Sequence, residues 1–266
     1  RGFWNRVVRF PSTPRTMVAN KRPLIIAHRG ASGSSPENTM AAFRKSVHAG
    51  ADMIELDVRL TQDFHLVVHH DRNVRRTTNG RGNIWDLTLQ QLRSLDAGSW
   101  FSPKFQRERI PTLREVMEFL LPTRVNLNVE VKTDGDPRKR THFEECVILI
   151  IMEKKFEERT LVSSFDHKFL KHMHELFPGI KTGALYHPVR DVRKKPSTLC
   201  SRIGASAFIC SRTQLRQRII DDVRAHKLVL ATYGINTPQH FDAILDLGVD
   251  AMVTDWPEKM VKRLIS

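Results

Sequence analysis

The sequence predicts a (β/α)8 barrel with a small insertion after its second strand. Three observations carry this prediction. After residue 22, eight short β-branched runs alternate with amphipathic stretches over about 240 residues. The length of 266 residues suits one such barrel. The rival, a doubly wound open sheet, lacks its mark: GASGSS (30–35) misses the GxGxxG spacing, and no GxxxxGK followed by Ser or Thr occurs.

The first strand is LIIAHRG (24–30). A helix over 38–50 follows, with Ser35-Pro36 as its cap and Gly50 at its stop. The second strand is MIELDVRL (53–60), which HLVVHHD (65–71) extends after the turn-like Thr61-Gln62-Asp63. Residues 72–111 are polar and punctuated by Asn79-Gly80 and Gly82, and they read as an insertion before the helix TLREVMEFL (112–120). Barrel insertions gather on the catalytic rim, at the C-terminal ends of the strands. The third strand, RVNLNVEVK (124–132), leads to a helix over 142–155. TLVSSF (160–165) and KTGALYH (181–187) flank a helix over 167–177, and 190–203 reads as a weaker helix broken by Pro196. ASAFICS (205–211), LVLATYGI (228–235) and AMVTDW (251–256) complete the strands, each followed by a helix: 214–227, 238–248 and 258–264.

Bulk properties narrow the function. A hydrophobic content of 40% supplies a core and rules out a disordered chain. No apolar run approaches the ~20 residues of a membrane span. The net charge of +14 favours anionic partners: nucleic acid, acidic lipid surfaces or phosphorylated small molecules. Residues 1–22 form a basic N-terminal arm with Phe3, Trp4 and Phe10 interspersed; it reads as a solvated tail, with weak contact to an anionic membrane as the alternative. Residues 23–266 are then the barrel. Cys146, Cys200 and Cys210 form no CxxC and suit a reducing compartment, so a cytoplasmic location is expected. The chain begins with Arg1, and a removed or anchoring segment before it is the alternative that would place the protein at a membrane or outside the cell.

Strand alternation then locates the chemistry. Side chains alternate between faces, so Glu55 and Asp57 share one face of MIELDVRL, while Leu56 and Val58 share the other. In RVNLNVEVK the apolar face is Val125, Leu127, Val129 and Val131, which must meet the outer helices. Glu130 and Lys132 therefore face the lumen, near the strand's C-terminal end. His28, Arg29 and His70 arrive at the same mouth from neighbouring strand ends. Three carboxylates there call for a hard divalent cation, Mg2+ or Ca2+. Arg29 and Lys132 balance charge and grip an anion. Two histidines can act as general base and general acid near neutral pH. Together these groups form the parts list for cleaving a phosphodiester.

HRGASGSSPENTMAAF (28–43), ADMIELDVRLTQD (51–63), VVHHDRNVRRTTNGRG (67–82), NVEVK (128–132), SSFD (163–166) and VDAMVTDWP (249–257) resemble the glycerophosphodiester phosphodiesterase family. The likeness runs in order from about residue 23 to the end, and its joint pattern is specific. It implies a metal-dependent hydrolase of small-molecule glycerophosphodiesters, releasing glycerol 3-phosphate and an alcohol. It also implies attack by the substrate's own glycerol hydroxyl through a cyclic phosphate. By motif position, His28 and His70 are the acid/base pair, Arg29 and Lys132 meet the substrate, and Glu55, Asp57 and Glu130 hold the metal. His70 rather than His69 is chosen because it abuts Asp71, as in the family's His-Asp pair. One departure stands at the seventh strand end, where the family often has Trp-Thr-Val-Asn and this chain has Tyr233-Gly234-Ile235-Asn236; Tyr233 still brings a ring to the substrate. The main alternative is a lysophospholipase D-like phosphodiesterase acting on membrane lysolipids. No nucleic-acid partner is expected. The alcohol group, the order of the histidines and the oligomeric state stay open.

Overall fold

The computed structural model describes residues 22–133 and 137–265, the side chains of 137–141 aside. The basic arm falls outside these residues except for Arg22, whose guanidinium makes a two-point contact with Asp52 at 2.7 and 2.8 Å.

The eight expected strands form and close. They are β1 (Leu24–His28), β2 (Met53–Leu60), β4 (Asn126–Val131), β5 (Thr160–Ser164), β6 (Lys181–Leu185), β7 (Ala207–Ser211), β8 (Val229–Tyr233) and β9 (Ala251–Thr254). All pair in parallel, and the β1–β2 and β1–β9 ladders complete the ring. A ninth strand, β3 (Leu66–Val68), is the extension expected after the second strand; it folds back antiparallel onto the end of β2.

Helices α1 (Met40–His48), α3 (Leu113–Leu120), α4 (Pro137–Glu153), α5 (His167–Leu176), α6 (Pro196–Ile203), α7 (Gln217–Ala225), α8 (Pro238–Leu245) and α9 (Pro257–Ile265) follow the barrel strands in turn. Short α2 (Leu89–Arg93) lies in the 72–111 segment.

Two hydrophobic layers hold the barrel. Outside the strands, Leu56, Val58, Leu127, Val129 and Val131 pack with helix residues such as Val116, Val147 and Phe169. Inside, Ile26, Met53, Leu161, Ile209, Ala231 and Val253 form a plug. Every residue of β2 and β4 is buried, as expected of strands covered on both faces. The 72–111 segment adds a separate small core of Val74, Ile84, Leu92, Ala97 and Ile110 against Val67.

Two local readings change. The α1 cap is Thr39, whose side chain accepts from the Ala42 N–H; Ser35 and Pro36 lie in the turn before it. Pro196 starts α6 rather than breaking it, because proline lacks only an N–H that a first turn leaves unpaired anyway. On α5, His167 Nε2 lies 2.9 Å from the Leu185 carbonyl, and His172 contacts the buried Glu144 carboxylate. Of the insertion tryptophans, Trp85 packs against the main core, whereas Trp100 is 39% exposed and donates to the Ala97 carbonyl.

Candidate active site

The site is built from the ladder register. β1 places His28 beside Glu55 of β2, and the β2–β4 pairing places Asp57 beside Glu130. Since side chains alternate, Glu55, Asp57 and Glu130 enter the same space above the apolar plug. All three are buried, and one carboxylate oxygen from each lies within 4.8 Å of the others. Hard cations bind oxygens at about 2.0–2.6 Å, so opposite ligands on one ion stand up to about 5 Å apart. The three oxygens fit that span.

Local sequence holds each group. Arg29 (φ 54) and Gly30 (φ 82) turn the chain left-handed at the end of β1. A Cβ on Gly30 would stand 2.7 Å from the Ala42 Cβ, so the turn needs glycine there. The turn aims the Arg29 N–H at Glu55 Oε2, 2.9 Å away, and brings its side-chain Nε to 3.3 Å from Asp57. Asn38, also left-handed at φ 58, donates to Asp57 Oδ2 at 2.8 Å. Lys132 sits between Asp57, at 3.1 Å, and Glu130, which its ammonium contacts directly. Glu55 Oε1 is buried without a hydrogen-bond partner. An orphaned carboxylate oxygen in an all-oxygen set is what a hard cation satisfies.

The electrostatics agree. Burial, with the charges of Asp57 and Glu130 added, pushes the Glu55 carboxyl up to about 8. Burial and the Asp57 charge also raise Glu130, although Lys132 opposes them. Burial disfavours charge on Asp57 too, but Lys132 and then Arg29 outweigh it and hold that carboxyl below its usual range. Two of the three acids therefore resist ionising until another positive charge arrives.

Each histidine has its own carboxylate. His28 Nδ1 lies 2.6 Å from Asp255 Oδ1, and Asn236 and Ser32 donate to Asp255. Burial pulls the His28 ring down, but the Asp255 bond and the Glu55 charge prevail and raise it. His70 Nδ1 lies 2.6 Å from Asp71 Oδ1. Burial, with Arg29 and Lys132 nearby, keeps His70 below its usual value against Asp57 and Asp71. His69 is buried instead beneath the insertion, with Nδ1 at 2.9 Å from the Asp71 carbonyl and Nε2 at 2.9 Å from Thr77. Tyr233 closes β8 at the edge of the inner plug, where burial first, and then neighbours that include Glu130, raise its phenol. Beside Glu130 and Lys132 opens a cavity of about 550 Å3, bordered also by Phe165, Lys168 and Arg190.

Four contributors escaped the sequence reading as functional residues. Glu37 joins Arg29 and Arg76, each at 2.8 Å, and Arg76 in turn binds Asp71 at 2.6 Å. An ionic chain thus runs from the insertion to the carboxylate cluster. Asn38 locks Asp57, and Asp255 orients His28. Asp255 had a signal: in AMVTD it alternates with Ala251 and Val253, which face the lumen.

A family model described as the glycerophosphoryl diester phosphodiesterase family matches residues 28–259. The chain belongs to the glycerophosphoryl diester phosphodiesterase family. Among family relatives, it is 38% identical to a glycerophosphodiester phosphodiesterase of Caldanaerobacter subterraneus subsp. tengcongensis, covering 90% of this chain and 97% of that protein. It is 29% identical to human lysophospholipase D GDPD1, covering 88% and 84% respectively. A solved Oleispira antarctica phosphodiesterase in complex with the product sn-glycerol-3-phosphate is similar with a TM-score of 0.85 at 28% identity, covering 92% of this chain and 98% of that one. Family membership agrees with the closed parallel barrel and makes the chain a phosphodiester hydrolase by class.

Proposed function

We propose that the protein hydrolyses glycerophosphodiesters to glycerol 3-phosphate and an alcohol, in a reaction that depends on one divalent cation. The observation that carries this reading is the meeting of three buried carboxylates with two separately oriented histidines at one barrel mouth. The Oleispira protein's product complex supports the substrate class.

Glu55, Asp57 and Glu130 hold the cation, and their oxygen-only set suits Mg2+ or Ca2+. When bound, the ion supplies charge stabilisation at a phosphoryl oxygen. Arg29 and Lys132 present positive charge to the phosphate, and Tyr233 presents its ring to the substrate. His70, kept neutral, takes the proton from the neighbouring glycerol hydroxyl. That oxygen bonds to phosphorus as the alcohol oxygen leaves, and His28 protonates the departing alcohol. Water then opens the cyclic phosphate with the roles reversed: His28 accepts the water proton and His70 returns one to the glycerol oxygen. Asp255 and Asp71 fix the two rings.

Residues 23–266 form the catalytic unit in this reading, with 72–111 as its insertion. Three free cysteines suit a cytoplasmic setting. Likeness to the human lysophospholipase D favours lysolipids as a second substrate class.

The test is hydrolysis of glycerophosphocholine, glycerophosphoethanolamine and lysophosphatidylcholine, with chelator and after Mg2+ or Ca2+ add-back. Turnover should vanish with chelator and return with metal. His28→Ala and His70→Ala should each cost roughly 10²–10⁴-fold, while His69→Ala spares turnover. Undiminished hydrolysis in chelator overturns the reading.

A further inference from the structure

The loop joining β6 to α6 leaves the C-terminal end of its strand, on the same side of the barrel as the carboxylate cluster. It is tightly built. Asp191 is 3% exposed; its carboxylate accepts the His187 N–H at 2.9 Å and meets the Lys194 ammonium at 3.0 Å. The His187 ring accepts the N–H groups of Val189 and Arg190, both at 3.2 Å. The one acid of the loop is thus spent inside it. Outside it stand two valines, Val189 at 74% and Val192 at 57% exposure. Four exposed cations, Arg190, Arg193, Lys194 and Lys195, surround them. Among the described residues, Arg193 and Lys195 have no ion-pair partner.

We infer that this loop docks on an anionic lipid bilayer. A single exposed valine is ordinary. Two on one hydrogen-bonded turn, framed by cations with no exposed acid, match the interfacial pattern in which apolar side chains enter the headgroup boundary and cations meet lipid phosphates. A nucleic acid would use the cations and favour stacking rings, which this loop does not expose, and the valines would contribute nothing. The same loop borders the cavity beside Glu130 and Lys132 through Arg190 and Lys194. Docking therefore sets the barrel mouth against the membrane surface. The inference rests on the loop's own geometry and stands whether or not the chemistry proposed above is correct.

The test uses the full chain, arm included, with vesicles of phosphatidylcholine alone or of phosphatidylcholine and phosphatidylglycerol in equal parts. Co-sedimentation should occur with the anionic vesicles only and weaken with salt. V189S/V192S and, separately, R193E/K195E should each lower the bound fraction at least about fivefold, with unchanged melting temperature. Val189→Trp should add tryptophan emission that shifts to the blue on anionic vesicles. Should one double variant fold poorly, the other and the fluorescence shift still decide the matter. Unchanged vesicle binding in both double variants, with no emission shift, overturns the inference and moves membrane contact to another surface. Binding that heparin matches and that ignores the valine substitutions makes the loop a general polyanion surface, which also overturns it.

Discussion

His28 and His70 are chemically identical side chains whose neighbours drive them apart. Against its burial, the bond to Asp255 raises His28, while burial with Arg29 and Lys132 nearby lowers His70. A base must be neutral before it reacts and an acid protonated, so in the mechanism proposed above the pair is sorted for the first step with His70 as base. The sign follows. kcat/KM should rise with pH as His70 loses its proton and fall as His28 loses its own, with the His70 step at the lower pH. Asp255→Asn removes the carboxylate that lifts His28, so the alkaline limb should move to lower pH while the acid limb holds. A pH-rate profile of D255N in which the acid limb moves instead would exchange the two roles. The same residue shows what sequence can and cannot reveal. Period-two alternation was enough to set Glu55, Asp57 and Glu130 on one lumenal face, because a buried strand has no other way to arrange them. Extended to AMVTD, the same alternation would have reached Asp255, which the sequence reading missed, but nothing in a linear sequence says which histidine that carboxylate touches.

Strands carry a period, whereas the connections that finish this site do not. The residues that turn from β1 into α1 read in sequence as helix cap and helix start. Asn38 instead adopts φ 58 and holds Asp57 from both sides, donating at 2.8 Å and accepting the Asp57 N–H at 3.3 Å. Its short amide tolerates the left-handed conformation, which costs most L-residues roughly 1–2 kcal/mol. Two substitutions separate backbone from side chain. Asn38→Gly keeps the turn and loses the clasp; Asn38→Ala loses both. Denaturant melts should place N38A about 1–2 kcal/mol below N38G, while both lose kcat/KM to a similar degree. Equal stabilities would mean that the φ is not costly here. Full activity in N38G would mean that Asp57 needs no clasp. Glu37 and Arg76 were invisible for the same reason: they meet across two loops 39 residues apart in the chain, and a loop charge reads as solvated until its partner is known.

At the scale of the whole molecule, the proposed ion site would couple metal, proton and folding through the carboxylate cluster. In metal-free protein Glu55 titrates near 8, against a usual carboxylate value near 4.5, and Glu130 is displaced in the same direction. The folded state thus holds protons that the unfolded chain has released. The resulting stability is fully present below about pH 4.5 and drains away as pH climbs through about 8, at up to about 1.4 kcal/mol per pH unit for each proton. Asp57 is displaced the other way, so its contribution is lost only in strong acid and does not enter this window. A bound divalent cation removes the need for those protons, because it favours the ionised carboxylates. Stability with saturating metal should therefore stay level across the range in which the chelated protein weakens. At a metal concentration about 100-fold above Kd, the gain is about 2.7 kcal/mol, or roughly 5–10 °C in melting temperature for a chain of this size. The gap between metal-loaded and chelated melting curves should widen from pH 6 to pH 8.5, and Glu55→Gln should flatten both the gap and its pH dependence. A gap of constant size, or one that survives E55Q intact, would mean that the ion sits elsewhere and that the three buried acids of β2 and β4 are held by Lys132, Arg29 and Asn38 without it.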